Sequence, residues 1–196
     1  VYGESASYGK RKVIDATTVP QPANFYGDSK LQADVAVREL ADDTYKVIVL
    51  RPPMIYGKGS KGNYRTLAKL AKKLPIFPDV DNERSMLYIE NLCEFLCQIM
   101  LIKPYARNSV VLLPQNGEWT KTSDMVKEIA QTSEKKIVEL RCLAPAVKIG
   151  GKIPGKIGGI VNKAFGNNCY KFAVSNYNGI KYQNISMKQS VMEINS

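Results

Sequence analysis

Residues 26–53 read YGDSKLQADVAVRELADDTYKVIVLRPP, and this stretch decides the fold class. From Tyr26 to Ala41, the residues Leu31, Ala33, Val35, Val37 and Leu40 recur among polar positions with partial helical periodicity, behind a turn region at Pro20 to Pro22. That pattern predicts a helix. Tyr45 to Leu50 then forms a short apolar run rich in β-branched residues, and Arg51-Pro52-Pro53 closes it, which predicts a buried strand ended by a breaker. A helix leading into a buried strand is α/β grammar.

Downstream, Leu67, Leu70, Ala71 and Leu74 stand at helical spacing with lysines opposite them, so Gly62 to Leu74 is predicted as a surface helix stopped by Pro75 and Pro78. Ser85 to Ile89 reads as extended and Glu90 to Ile102 as an apolar helix. Ser109 to Leu113 is a second buried strand. Thr122 or Ser123 is expected to cap a helix running through Thr132, with Asp124 near its positive end. Ile137 to Leu140 resumes as strand, and a final helix starts near Ser186. Ala144 to Gly166 is rich in glycine and lysine and carries no readable period.

The chain has 196 residues, 44% hydrophobic and 23% charged, enough to bury a substantial core as one globular unit. No apolar run approaches the roughly 18 to 20 residues that span a bilayer, and a cytoplasmic location is expected. There is no histidine, and Cys93, Cys97, Cys142 and Cys169 form no paired CxxC hooks, so no metal site is expected. The thiols are expected to be reduced and mostly buried, with Cys93 and Cys97 sharing a helix face.

The chemistry-bearing spacing is Tyr26-Gly27-Asp28-Ser29-Lys30, since four residues along a helix bring both side chains to one face. A free phenol, with a pKa of about 10, is too weak an acid to shuttle protons near neutrality, and an adjacent ammonium favours its ionised form. Tyr and Lys four apart also occur by chance in many helices. Three further elements give the pair its context: Val1-Tyr2-Gly3, Arg51 to Gly57 (RPPMIYG) and Arg84 to Leu92 (RSMLYIENL).

In this order, the four elements resemble the extended short-chain dehydrogenase/reductase superfamily, in particular its NAD-dependent nucleotide-sugar epimerases and dehydratases of the UDP-glucose 4-epimerase kind. The resemblance implies an α/β fold: the C-terminal part of a Rossmann-like doubly wound parallel sheet plus a smaller α/β substrate-binding lobe. Residues 1–57 would hold the last strands and catalytic helix of the main domain, and 58–196 mainly the substrate lobe, with 85–113 returning to the main sheet. Tyr26 would be the acid/base and Lys30 its partner and ribose ligand. Pro52 and Pro53 would lie by the nicotinamide, Met54 and Asn63 by the nucleotide sugar, and Arg84 would pair with its diphosphate.

The resemblance also implies NAD as cofactor, with NADP the alternative, a UDP-sugar or other nucleotide-sugar substrate and a homodimeric parent. A reductase or dehydratase would use the same Tyr and Lys. The family's catalytic Ser or Thr would precede Val1, and by the same resemblance its glycine-rich pyrophosphate turn would belong at the N-terminal end as well. The cofactor half is therefore expected to be missing and the fragment to be inactive, binding NAD weakly or not at all. Ser5 and Ser7 are not replacements for the absent hydroxyl.

The formal charge is +10, which raises a function of another class, a basic module for nucleic acid or an anionic surface. Aromatic residues do not interleave with the lysines as a single-strand platform requires, so nucleic acid is not the expected partner. Gly150 to Ile157 nearly matches a phosphate-binding loop, but Ile157 cannot supply the magnesium-ligating hydroxyl. A basic surface hairpin or helix is expected there instead.

Overall fold

A computed structural model describes residues 1–2, 12–101 and 107–195, apart from the side chain of residue 156. The elements in chain order are β1 (Val13–Ile14), α1 (Phe25–Glu39), β2 (Val47–Leu50), β3 (Met54–Tyr56), α2 (Asn63–Lys73), β4 (Ile76–Pro78), β5 (Met86–Tyr88) and α3 (Ile89–Leu101). They continue as β6 (Ser109–Leu112), α4 (Thr122–Gln131), β7 (Val138–Leu140), α5 (Ala144–Gly150), α6 (Lys156–Phe165), β8 (Cys169–Tyr170) and α7 (Met187–Asn195).

Every strand pair is parallel. β2 pairs with β6 from Val47↔Ser109 to Leu50↔Leu112, β3 with β5, β4 with β7, and β1 with β8. Parallel neighbours need long crossovers, and helices supply them here, which is the α/β architecture expected from residues 26–53. β2 is only half-buried beyond Val47, because β6 is its one paired neighbour among the described residues. Val1 and Tyr2 are not in a strand, and Gly3 lies outside the described residues, as do Ser5 and Ser7.

The largest core cluster sits between β3/β5 and helices α2, α4 and α7, and includes Tyr56, Leu67, Phe77, Met86, Ile129 and Val191. A buried polar chain ties it together. The Tyr56 hydroxyl lies 2.8 Å from Ser190 Oγ and receives a bond from Asn116 Nδ2 at 3.1 Å, while Asn116 Oδ1 accepts from Asn91 Nδ2 at 3.0 Å. Burial pushes the Tyr56 phenol up to about 12, so it stays a neutral hydrogen-bonding group. Gly57, the last residue of RPPMIYG, lets β3 pass α3: a Cβ there would sit 2.4 Å from Ile89 Cγ2.

Two local expectations need correction. Cys169 is buried, but Cys93, Cys97 and Cys142 are exposed. Helix α3 turns Phe95 and Ile99 inward, and residues two positions away point roughly oppositely, so the Cys93/Cys97 pair faces out. Neither Thr122 nor Ser123 caps α4. Instead Asn82, from another segment, accepts the Thr122 N–H at 3.1 Å and donates to Thr122 Oγ1 at 2.9 Å. On α1 the apolar residues Val35, Val37 and Leu40 are exposed, and the one buried residue is Asp34. The unreadable 144–166 segment folds as two short helices, and no strand enters the Gly150–Ile157 turn, which excludes a phosphate-binding loop there.

Candidate active site

Helix α1 starts where the Asn24 side chain accepts the Gly27 N–H at 2.9 Å, a bond that satisfies one of the orphan donors of the first turn. This start places Tyr26 in the first turn and Lys30 one turn later. Lys30 Nζ lies 5.6 Å from the centroid of the Tyr26 ring, within cation–π range. Tyr26 is 71% exposed and both residues face one cleft.

That cleft, of about 750 Å³, runs between α1 and the β2–β3 connection, and Pro52, Pro53, Met54, Arg84 and Asn168 also line it. A second hollow, of about 420 Å³, opens at the start of α1 and is lined by Tyr26, Asn63, Arg84, Asn162 and Lys163. A third, of about 270 Å³, lies among α2, α4 and α6, with Met54, Asn63, Met86, Ile160 and Lys163 in its wall. All seven residues singled out from the sequence line at least one of these spaces, and Arg84 lines all three.

Arg84 is buried and fixed through its backbone, which exchanges hydrogen bonds with Thr120 at 3.1 and 2.8 Å. Its Nη1 donates to the Lys163 carbonyl near the end of α6. Among the described residues no carboxylate reaches it, and burial lowers its pKa from the ordinary arginine value. Among the described residues no acidic side chain lines the second or third hollow, whose walls also include Lys163. A buried guanidinium without a counter-ion is costly, and an anion entering these hollows would relieve that cost.

Three of the residues with unsatisfied polar atoms are bridge partners of Arg84 or line a hollow that it lines. Among the described residues, four buried side-chain atoms have no hydrogen-bond partner: Ser60 Oγ, Thr120 Oγ1, Asn162 Oδ1 and Asn168 Oδ1. Thr120 and Asn168 are the two bridge partners of Arg84, and Asn162 lines the second hollow.

One network in the wall of the cleft holds α1 in place. Asp34, one turn beyond Lys30, accepts from Arg51 Nε and from Arg38 Nε, each at 2.7 Å. Arg51 also donates to the Tyr2 hydroxyl at 3.0 Å and stacks over that ring, 5.5 Å from its centroid. Burial would raise the Asp34 carboxyl, but the bonds from Arg51 and Arg38 outweigh it and hold it below the usual carboxylate range. Since Arg51 immediately precedes Pro52 and Pro53, this bridge couples the Tyr26/Lys30 helix to the opposite wall of the cleft.

Residues 1–107 match the profile of the NAD dependent epimerase/dehydratase family. The chain belongs to that family. It is 33% identical over 139 residues to a UDP-glucose 4-epimerase of Vibrio cholerae, covering 69% of this chain and 42% of that protein. It is 30% identical over 164 residues to the N-acetyl-alpha-D-glucosaminyl-diphospho-ditrans,octacis-undecaprenol 4-epimerase of Escherichia coli O157:H7, covering 77% of this chain and 49% of that protein. A UDP-glucuronic acid 4-epimerase from Bacillus cereus, in complex with UDP-glucuronic acid and NAD, superposes with a TM-score of 0.69 at 16% identity, over 100% of this chain and 58% of that one. The chain thus spans about half the length of the curated relatives it matches. The family resemblance read from the four motifs is borne out, as is the α/β class.

The family is NAD-dependent, and the described residues fit one part of that cofactor. Tyr26, Lys30, Pro52 and Pro53 share the walls of the 750 Å³ cleft, where Asn168 Oδ1 stands unpaired and can accept a hydroxyl. The chain's one G-x-G-x-x-G spacing, Gly57 to Gly62, joins β3 to α2 and lines none of these three spaces. No His/Cys/Asp/Glu cluster suited to a metal occurs among the described residues.

Sequence reasoning missed Asp34, Asn162, Lys163 and Asn168. Asp34 carried a faint signal, as an acid four residues after Lys30. The other three enter from a segment some eighty residues beyond Arg84, and nothing in their local spacing announces them.

Proposed function

We propose that this chain is the C-terminal, substrate-binding portion of an NAD-dependent nucleoside-diphosphate-sugar 4-epimerase. The observation that carries this reading is Arg84, a buried guanidinium with no carboxylate partner where three hollows meet, beside the Tyr26/Lys30 pair. Its fork of donors matches the diphosphate, with Lys163 as a second cation. Asn63 and Met54 line the sugar's path from that anion toward Tyr26. Both curated relatives reported above are 4-epimerases, which favours this reaction over reduction or dehydration.

In this reading the Tyr26 phenolate takes the proton from the sugar hydroxyl that is oxidised and returns it when the carbonyl is reduced again. Lys30 supplies the opposite charge beside the ring and a ribose contact, and Pro52 and Pro53 form the flat wall for the nicotinamide. NAD, when bound, would accept and give back a hydride, so that the sugar carbon is re-reduced from its other face. Residues 1–57 belong to the cofactor domain and 58–196 mainly to a substrate lobe. The pairing of β2 with β6 and of β3 with β5 supports the return of 85–113 to the main sheet. The parent works as a cytoplasmic homodimer, and the 196 residues alone do not turn over.

Titration calorimetry with UDP-glucose, UDP and NAD tests the reading. UDP-glucose and UDP should bind, and Arg84→Met should weaken both by about a hundredfold, the worth of a lost charge-assisted pair. NAD should bind poorly, and adding it with UDP-glucose should yield no UDP-galactose. UDP affinity that ignores Arg84→Met would overturn the substrate assignment, and measurable turnover would overturn the inactivity of the chain.

A further inference from the structure

The chain's positive charge is concentrated in one stretch of the sequence, in which Lys171 and Lys188 pair with Asp15 and Glu128 from outside it. From Leu140 to Met192 there is no Asp or Glu, while Arg141, Lys148, Lys152, Lys156, Lys163, Lys171, Lys181 and Lys188 fall in that segment. It therefore holds eight of the 28 cations and none of the 18 acids, or +8 of the net +10. Within it, residues 148–159 read KIGGKIPGKIGG, with a Lys-Ile pair recurring every four residues.

The structure shows what the repeat builds. α5 and α6 form a helical hairpin closed tightly by small residues. Asn162 Nδ2 donates to the Gly151 carbonyl at 2.9 Å, and a Cβ on Gly158 would fall 2.0 Å from the Ile153 carbonyl oxygen. The isoleucines are not used to close it. Ile149, Ile153, Ile157 and Ile160 are 65%, 42%, 59% and 67% exposed. Four exposed isoleucines beside Lys148, Lys152 and Lys163, which form no ion pair among the described residues, make a surface that is apolar and cationic together.

From this we infer that the α5–α6 hairpin docks on an anionic phospholipid surface, with its isoleucines seated among the acyl-chain ends and its lysines against the headgroup phosphates. Charge complementarity selects the partner, because this segment has no acid to repel a phosphate, and apolar insertion together with cationic attraction is the signature of an interfacial element. No helix among the described residues is long and apolar enough to cross the membrane, so the hairpin lies on the surface. Nucleic acid would draw on the lysines alone, and it prefers exposed aromatic rings for stacking. The one aromatic residue of the hairpin, Phe165, packs instead against Phe77 with ring centroids 5.6 Å apart. Because Ile160 and Lys163 also line the hollow beside Arg84, docking would bring that hollow to the bilayer. The inference does not depend on the catalytic reading.

Vesicle co-sedimentation tests it. The 196-residue chain is mixed with phosphatidylcholine vesicles containing about one-third phosphatidylglycerol, or with phosphatidylcholine alone, near 0.1 M salt, where the Debye length is about 10 Å. Binding is expected only to the anionic vesicles. Lys148→Gln with Lys152→Gln should weaken it by about twentyfold, each lysine being worth roughly fivefold at such a surface. Ile149→Ser with Ile153→Ser should weaken it by at least about tenfold. Ile153→Trp should strengthen it, a gain that no folding defect can mimic. Absence of binding to the anionic vesicles would overturn the inference, and so would binding indifferent to the isoleucines. So would an oligonucleotide that binds through the lysines alone and displaces the vesicles, or a dimer in sedimentation that the serine variants dissolve.

Discussion

Replacing Asp34 by Asn should loosen the Tyr26/Lys30 helix from the cleft, and the size of the effect can be worked from the geometry. Asn keeps the shape, but its amide NH₂ must face one of two guanidinium donors, so one of the two 2.7 Å bonds is lost along with the charge. Removing one partner from a buried ion pair costs about 3–5 kcal/mol. Here the Arg51 side chain is 10% exposed, but Arg38 is 32% exposed, and its share falls to a surface value below about 1 kcal/mol. Arg51 also keeps its bond to the Tyr2 hydroxyl, which softens the loss. The expected destabilisation is about 2–3 kcal/mol, or roughly 5–10 °C in melting temperature for a chain of this size. The assay is thermal unfolding followed by circular dichroism at several pH values. Because the folded-state carboxyl is held below its usual value, its contribution is present above about pH 4 and is lost as pH falls through the depressed folded value. The gap between wild type and variant should therefore close in acid. A variant melting within about 1 °C of wild type at pH 7 would refute the reasoning, as would a gap that stays constant into strong acid.

Two further outcomes follow from the same accounting. Arg84→Met removes a buried, uncompensated cation at the expense of one bond to the Lys163 carbonyl, so urea denaturation should find the variant unchanged or more stable by about 1 kcal/mol; a loss above about 2 kcal/mol would show that the guanidinium is compensated after all. Asn82→Ala removes the only side chain among the described residues seen satisfying the first turn of α4, in a buried setting, and should cost about 2 kcal/mol in the same assay.

The elements legible in the sequence were those whose signal is local. Helix α2 shows its apolar face every three or four residues, and β2 and β6 are short β-branched runs, so their bounds were placed within about two residues. At the α5–α6 hairpin only a basic surface hairpin or helix could be expected and not the bounds of its helices, because glycine repeats erase helical periodicity and its shape comes from a tertiary contact, the approach of Gly158 to the Ile153 carbonyl. The capping of α4 failed for the same reason: the hydroxyl in the expected place was bypassed by Asn82, forty residues earlier in the chain. At the site, Tyr26, Lys30 and Arg84 stand in motifs with fixed spacing. Asn162, Lys163 and Asn168 become neighbours of Arg84 only when α6 and the chain leading into β8 fold back on it.

The motifs themselves divide between holding the fold and holding a ligand, and hydrogen-bond satisfaction draws the line. In RSMLYIENL, Ser85 Oγ lies 2.5 Å from Gln115 Oε1, and Asn91 bonds both Asn116 and the Ile185 carbonyl, so these polar groups are fully used within the scaffold. In RPPMIYG, Arg51 and Tyr56 are likewise satisfied by Asp34, Ser190 and Asn116. Arg84 is the member of either motif that is left with a buried charge and no counter-ion, and its two bridge partners, Thr120 and Asn168, carry unpaired side-chain oxygens. A buried cation that lines three hollows, with unmatched acceptors on both of its bridge partners, presents the complement of a molecule with a negative group and hydroxyls close together. The proposed substrate, a nucleotide sugar, has both, with its diphosphate joined directly to the ring, so the unsatisfied groups give that proposal a second argument, separate from the Tyr26/Lys30 geometry.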